Sequence, residues 1–128
     1  MPQLEPSDLE LQILSLLWAN GPMTARQVLE GMPDGKRRAY TSILSAMQVM
    51  EKKGLLSHKA AGNMHVYRPK VERGRVLGRM LRRWVDQILG GEPAAAVQLL
   101  LQQTPVSAQE LAEIRRLVDE HAAKEERP

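Results

Sequence analysis

RRAYTSILSAMQVMEKKGLLSHKAAGNMHVYRP, residues 37–69, changes its hydrophobic period once, and that change sets the architecture. Tyr40, Ile43, Met47 and Met50 recur at helical spacing, which predicts a helix over residues 37–53 with one buried face. Gly54 follows at the place where a helix commonly ends in a left-handed residue. Leu55-Leu56-Ser57-His58-Lys59 and Met64-His65-Val66-Tyr67-Arg68 then flank a loop at residues 60–63 that contains Gly62. Two short runs around such a loop predict a β-hairpin, with Pro69 ending its second strand.

Upstream, Ser7 and Glu10 form a capping box, and Leu9, Ile13, Leu14, Leu16 and Leu17 mark the buried face of a first helix that stops at Asn20-Gly21-Pro22. Thr24 and Gln27 repeat the box and open a short second helix, which ends before Pro33-Asp34-Gly35. Three helices followed by a hairpin make a winged helix-turn-helix, in which the third helix enters the DNA major groove and the hairpin reaches the neighbouring backbone.

Downstream, Val76, Leu77, Met80, Leu81, Trp84, Val85, Ile88 and Leu89 form a stripe too wide for a lone surface helix. Gly90-Gly91 breaks it, Pro93 opens a further helix that Thr104-Pro105 ends, and Ser107 with Glu110 caps a last one. Three amphipathic helices of this size bury little by themselves, so they predict pairing with a second chain. The fold class expected is mainly α with a small β-hairpin: a winged helix-turn-helix over residues 1–70 and a three-helix dimerisation region over 71–128. Residues 124–128 are expected to fray. The interface residues expected are Leu77, Leu81, Trp84, Ile88, Leu100, Leu111, Ile114 and Val118.

Composition agrees. The 128 residues suit one domain or two small lobes, and 3% aromatic content without Phe favours a core of aliphatic side chains in packed helices. With no cysteine there are no disulfides, thiolate metal sites or thiol nucleophiles, which suits a reducing cytoplasm. No apolar run approaches the ~20 residues that span a bilayer, and the first ten residues have no export pattern. No nucleophile-base pair, metal-ligand spacing or phosphate-binding glycine loop is visible, so no enzyme and no cofactor are expected.

The net charge of +3 conceals a strong asymmetry. Residues 36–83 hold thirteen bases and two acids, whereas residues 1–35 and 84–128 each carry −4. A basic middle between acidic flanks suits a polyanion, because each neutralised phosphate releases counterions. Lys36, Arg37 and Arg38 are expected at phosphates beside the third helix's start, with Arg38 also able to reach a guanine. Thr41, Ser42 and Ser45 lie off the apolar stripe, where small hydroxyls approach base edges or phosphates. Tyr40 either packs inward or donates its hydroxyl to phosphate. On the hairpin, Lys59 is expected to touch DNA. His58, Asn63, His65 and Arg68 do so too or merely blunt a strand edge. His58 and His65 share a face if Gly62-Asn63 is the turn, but without a neighbouring carboxylate or thiolate no metal is expected. Arg73, Arg75, Arg79, Arg82 and Arg83 either extend the DNA footprint or frame a dimer contact. A different reading of the same basic face is a protein- or RNA-interaction module without operator specificity.

The ordered segments LELQILSLLWANGPMTARQVLEGMP (9–33), AYTSILSAMQVMEKKGLL (39–56), GNMHVYRP (62–69) and GGEPAAAVQLLLQQTPVSAQELAEIRRLVDE (90–120) resemble the penicillinase-repressor (BlaI/MecI) family of winged-helix regulators. The resemblance implies a cytoplasmic homodimer on an inverted-repeat operator, repressing genes commonly of β-lactam resistance. It also implies a membrane-bound sensor protease whose signal leads to repressor cleavage. Three positions depart from the family pattern: Arg38 where Trp is frequent, Asn63 where Arg is usual, and Gln98-Leu99-Leu100-Leu101 where cleaved members carry Asn-Phe. The cysteines of copper-responsive relatives are absent.

Overall fold

The computed structural model describes residues 5–126. Its elements are α1 (Asp8–Asn20), β1 (Met23–Thr24), α2 (Ala25–Gly31), α3 (Tyr40–Lys52), β2 (Leu56–Ala61), β3 (Met64–Pro69), α4 (Arg73–Gln87), α5 (Pro93–Gln103) and α6 (Ala108–Glu125). The chain divides into two compact units, Met1–Leu81 and Arg82–Pro128, and the division falls within α4.

Both predicted capping boxes near the N-terminus form. The Ser7 hydroxyl accepts the Glu10 N–H at 3.2 Å while the Glu10 carboxylate accepts the Ser7 N–H at 2.9 Å, and Thr24 and Gln27 repeat this at the same distances. These bonds satisfy donors that a helix start otherwise leaves unpaired. Ile13, Leu14 and Leu17 of α1, Val28 of α2, Ile43, Met47 and Met50 of α3, and Leu56 and Tyr67 of the sheet close one core. Burying each such side chain stabilises the fold by about 1.5–3 kcal/mol. Trp18 lies against this core and donates its indole N–H to the Val71 carbonyl at 2.9 Å, tying α1 to the segment that leaves the sheet.

The sheet has three antiparallel strands in the order β1-β3-β2. Two features depart from the expectation. Strand β1 was not foreseen, because two residues show no period-2 pattern and Thr24 also serves as the cap of α2. The hairpin loop is shorter than residues 60–63: Ala60 and Ala61 pair with His65 and Met64, leaving a two-residue turn of Gly62 and Asn63. Gly62 has φ +63° and Asn63 is not left-handed, the pattern of a type II′ turn, whose twist matches that of the strands.

In the second unit, Gly90 and Gly91 interrupt the helices, Pro93 stands in the first turn of α5 and the Ser107 hydroxyl accepts the Glu110 N–H at 3.1 Å to cap α6. Neither α5 nor α6 contains a buried residue, and nor does α4. Of the tail expected to fray, Lys124 and Glu125 belong to α6, and residues 127 and 128 lie outside the described part.

Candidate nucleic-acid interface

Helix α3 begins at Tyr40, three residues later than expected, so Lys36, Arg37 and Arg38 lie in the connection before it and not on the helix. The N-cap is Ala39, which has no side-chain acceptor, and the preceding loop is held in another way. The Asp34 carboxylate accepts the Lys36 N–H at 3.2 Å and both Arg38 terminal nitrogens, Nη1 at 2.7 Å and Nη2 at 2.6 Å. This two-pronged bond closes the loop between α2 and α3. Hydrogen bonding from Arg38 holds the Asp34 carboxyl well below the usual carboxylate range, and Asp34 in turn raises the Arg38 guanidinium. Lys36 and Arg37 are exposed, whereas Arg38 is only partly so.

Around α3 the side chains sort by face. Ile43, Met47 and Met50 are fully buried, as the apolar stripe requires. Tyr40, expected on that stripe, is 37% exposed, and the Arg26 guanidinium lies 4.8 Å from its ring centroid in a cation–π contact. Tyr40, Leu44 and Gln48 line a groove of about 270 Å³ whose other wall includes Asn63, Met64 and His65 of the hairpin. The opposite flank is fixed by Lys53, whose ammonium donates to the Glu10 carboxylate at 2.9 and 3.2 Å. Burial works to raise the Glu10 carboxyl, but the Ser7 N–H and the Lys53 ammonium outweigh it, and the net shift is downward. Thr41, Ser42 and Ser45 remain exposed, together with Val49 and Lys52.

The strand pairing separates the basic and imidazole residues of the hairpin. His58 stands opposite Tyr67 and Ala60 opposite His65, while Lys59 stands opposite Val66 and Ser57 opposite Arg68. Because neighbours alternate across a sheet, His58, His65 and Tyr67 share one face and Lys59 and Arg68 the other. The two imidazoles stack at 4.2 Å with 13° between planes, and His58 Nδ1 lies 2.7 Å from the Glu51 carboxylate. The carboxylate absent from the local sequence around this pair is supplied by Glu51 of α3. Among the described residues, however, no group of three or more His, Asp and Glu side chains is placed to hold a metal ion. Burial, followed by the negative charge of Glu51, raises the Tyr67 hydroxyl. Asn63 occupies the hairpin tip.

Of the eight residues expected at an interface between chains, Leu81, Trp84, Ile88, Leu100, Leu111 and Val118 are exposed, and Leu77 and Ile114 are partly covered. Arg26, Gln48, Val49 and Glu51 were not singled out from the sequence. Only their positions on the helices could have flagged them. No helix among the described residues is long and apolar enough to cross a membrane.

Comparison with known proteins gives a consistent set of likenesses. The penicillinase repressor family model matches residues 6–120. The penicillinase repressor of Bacillus licheniformis is 22% identical over 121 residues, covering 94% of this chain and 93% of that protein. The transcriptional regulator BlaI of Mycobacterium tuberculosis is 29% identical over 116 residues, covering 88% of this chain and 82% of the relative. The solution structure of the monomeric form of Bacillus licheniformis BlaI in complex with the blaP half-operator aligns at 22% identity with a TM-score of 0.48, covering 57% of this chain and 89% of that one.

Proposed function

The chain belongs to the penicillinase repressor family, and on that premise we propose that it is a cytoplasmic, homodimeric repressor that binds an inverted-repeat operator through α3 and the hairpin. The family is one of transcriptional repressors and not of enzymes. The observation that carries the reading is the coincidence of charge with architecture. The segment with thirteen bases and two acids, residues 36–83, contains most of the connection into α3, α3 itself, the hairpin and most of α4. Charge of this density supplies sequence-independent affinity for phosphates, on which base contacts are superposed.

In this reading residues 1–70 form the DNA-binding unit. Lys36 and Arg37 meet phosphates, while Arg38 does so from a position set by Asp34. Thr41, Ser42 and Ser45 face base edges, Tyr40 offers its hydroxyl beside Arg26, and Lys59 and Asn63 bring the hairpin to the neighbouring backbone. Residues 71–128 join two copies through the exposed apolar side chains of α4, α5 and α6, so that two α3 helices lie about one DNA turn, ~34–36 Å, or a multiple apart. In the same reading the chain controls β-lactam resistance genes and answers to a membrane-bound sensor protease, without the Asn-Phe pair at residues 98–101 that cleaved relatives carry.

Footprinting of the full chain on DNA upstream of its own gene, at two salt concentrations, tests this. A protected inverted repeat is expected, with affinity falling by about 10³–10⁵ between 50 and 200 mM salt for roughly 6–10 phosphate contacts. Weak uniform binding with no protected repeat would instead favour a basic surface that meets protein or RNA.

A further inference from the structure

Helix α3 carries one aliphatic side chain that the fold does not use. Ile43, Met47 and Met50 are fully buried, and Leu44 and Ala46 pack against the core, but Val49 is 47% exposed. Ser42, Ser45, Val49 and Lys52 follow one another at spacings of three and four residues and so form one exposed line along α3. Two serines in the first turns let the helix approach a surface closely, and Lys52 supplies a charge at the far end. A β-branched residue does not favour an exposed helical position, so Val49 is not explained by helix stability.

We propose that Val49 reads the C5-methyl group of a thymine in each half-site of the operator. This rests on the DNA-binding reading above and assigns part of its base specificity. Thymine is the only base that presents an apolar group in the major groove, and aliphatic side chains recognise it by contact and shared desolvation. Val49 lies seven residues beyond Ser42, about 10 Å along the helix axis. The hydroxyls of Ser42 and Ser45 therefore face base edges nearer the start of α3, while Val49 faces a base pair further along the groove. A polar edge at that place would lose its water against the valine without gaining a hydrogen bond, which penalises the other bases.

The test uses a duplex enriched by the full-length chain from a randomised library. Each thymine of that duplex is replaced singly by uracil, which removes only the methyl group, and binding of the wild type and of Val49→Ala is measured. For the wild type, uracil at one position of a half-site should weaken binding about fourfold, the effect of leaving one methyl unburied. Val49→Ala should bind the parent duplex less tightly and be indifferent to uracil at that position. An unfolding midpoint for Val49→Ala equal to or slightly above that of the wild type is expected, since the site is exposed and alanine favours the helix, and it separates lost contact from lost fold. Tolerance of uracil at every position by the wild type, or an equal loss in Val49→Ala, would overturn the assignment while leaving the repressor reading intact. Failure to enrich any duplex would remove both.

Discussion

At the scale of single residues, the charges most visible in the sequence are partly spoken for in the fold. Arg38 stands four residues after Asp34, a spacing open to inspection, yet only the closed loop shows that its fork is bonded to that carboxylate. Asp34→Asn should release a full positive charge beside α3. Non-specific DNA affinity should rise, and the slope of log affinity against log salt should steepen by about one, measurable by fluorescence anisotropy titration across salt concentrations. An unchanged slope would show that the Asp34 carboxylate takes nothing from the phosphate contact of Arg38. Glu10 is a second instance. Its role as a cap was legible three residues from Ser7, but its partner Lys53 is 43 positions away in the sequence and no local pattern points to it. Because the folded chain holds this carboxyl below the 4.5 of an unperturbed glutamate, the unfolded chain binds the proton more tightly. The stabilisation is thus complete above pH 4.5 and disappears as pH falls through the lower, folded value. Glu10→Gln keeps an oxygen for the Ser7 N–H and loses the charge. It should lower stability at neutral pH by about 1 kcal/mol, a modest figure because Lys53 is in part solvated. The deficit against wild type should shrink with acidification in denaturant titrations.

At the scale of elements, the helices were legible because their signals are local. Capping boxes, apolar stripes and the Gly-Pro or Gly-Gly stops each act over a turn or two, and α1, α2, α5 and α6 follow them. The start of α3 was misplaced for the same reason: residues 37–39 are compatible with a helix, but the Asp34–Arg38 bond fixes them in the connection. Strand β1 exists only through its pairing with β3, a contact between residues more than forty positions apart. The hairpin shows how local geometry supports the proposed site. Its two-residue turn depends on Gly62 at φ +63°, and a side chain there would meet no neighbouring atom, so the cost of replacement is conformational rather than steric crowding. Gly62→Ala should therefore destabilise the hairpin by roughly 1–2 kcal/mol. Amide exchange should quicken across β2 and β3 near the turn, while the amides of α1 buried with Ile13, Leu14 and Leu17 stay protected. If the hairpin touches DNA as proposed, operator affinity should fall in the same variant, and binding at wild-type strength would show that it does not.

At the scale of the whole molecule, the two units differ in what they bury. Among the described residues, all eleven buried apolar side chains lie between Ile13 and Tyr67, so the core sits in the first unit. The second unit exposes Trp84, Ile88, Leu100 and Val118, each at about half or more of its full area. Apolar surface on this scale marks an interface, and in the proposed dimer a second copy of the same helices would cover it with a self-complementary face. The sequence shows the exposed apolar surface as a stripe too broad for a lone helix, though no pattern in a single chain says which residues would meet across the axis of the proposed dimer. The consequence is a separation of functions that substitution can expose. Leu81→Asp and Val118→Asp place a charge on side chains that are 65% and 59% exposed in the single chain, where folding of the protomer has little to lose. Both should sediment as monomers at concentrations where the wild type is dimeric, because an unpaired carboxylate in an apolar contact carries a large desolvation cost. Each monomer should keep its helical spectrum and its weak affinity for a half-site, since α3 and the hairpin are untouched. Binding to the full operator should fall by about 10²–10⁴, the gain that linkage of two binding units confers. Persistence of the dimer in both variants would put the contact between protomers elsewhere. Loss of half-site binding along with the dimer would mean instead that the DNA-binding unit depends on its partner to hold its form.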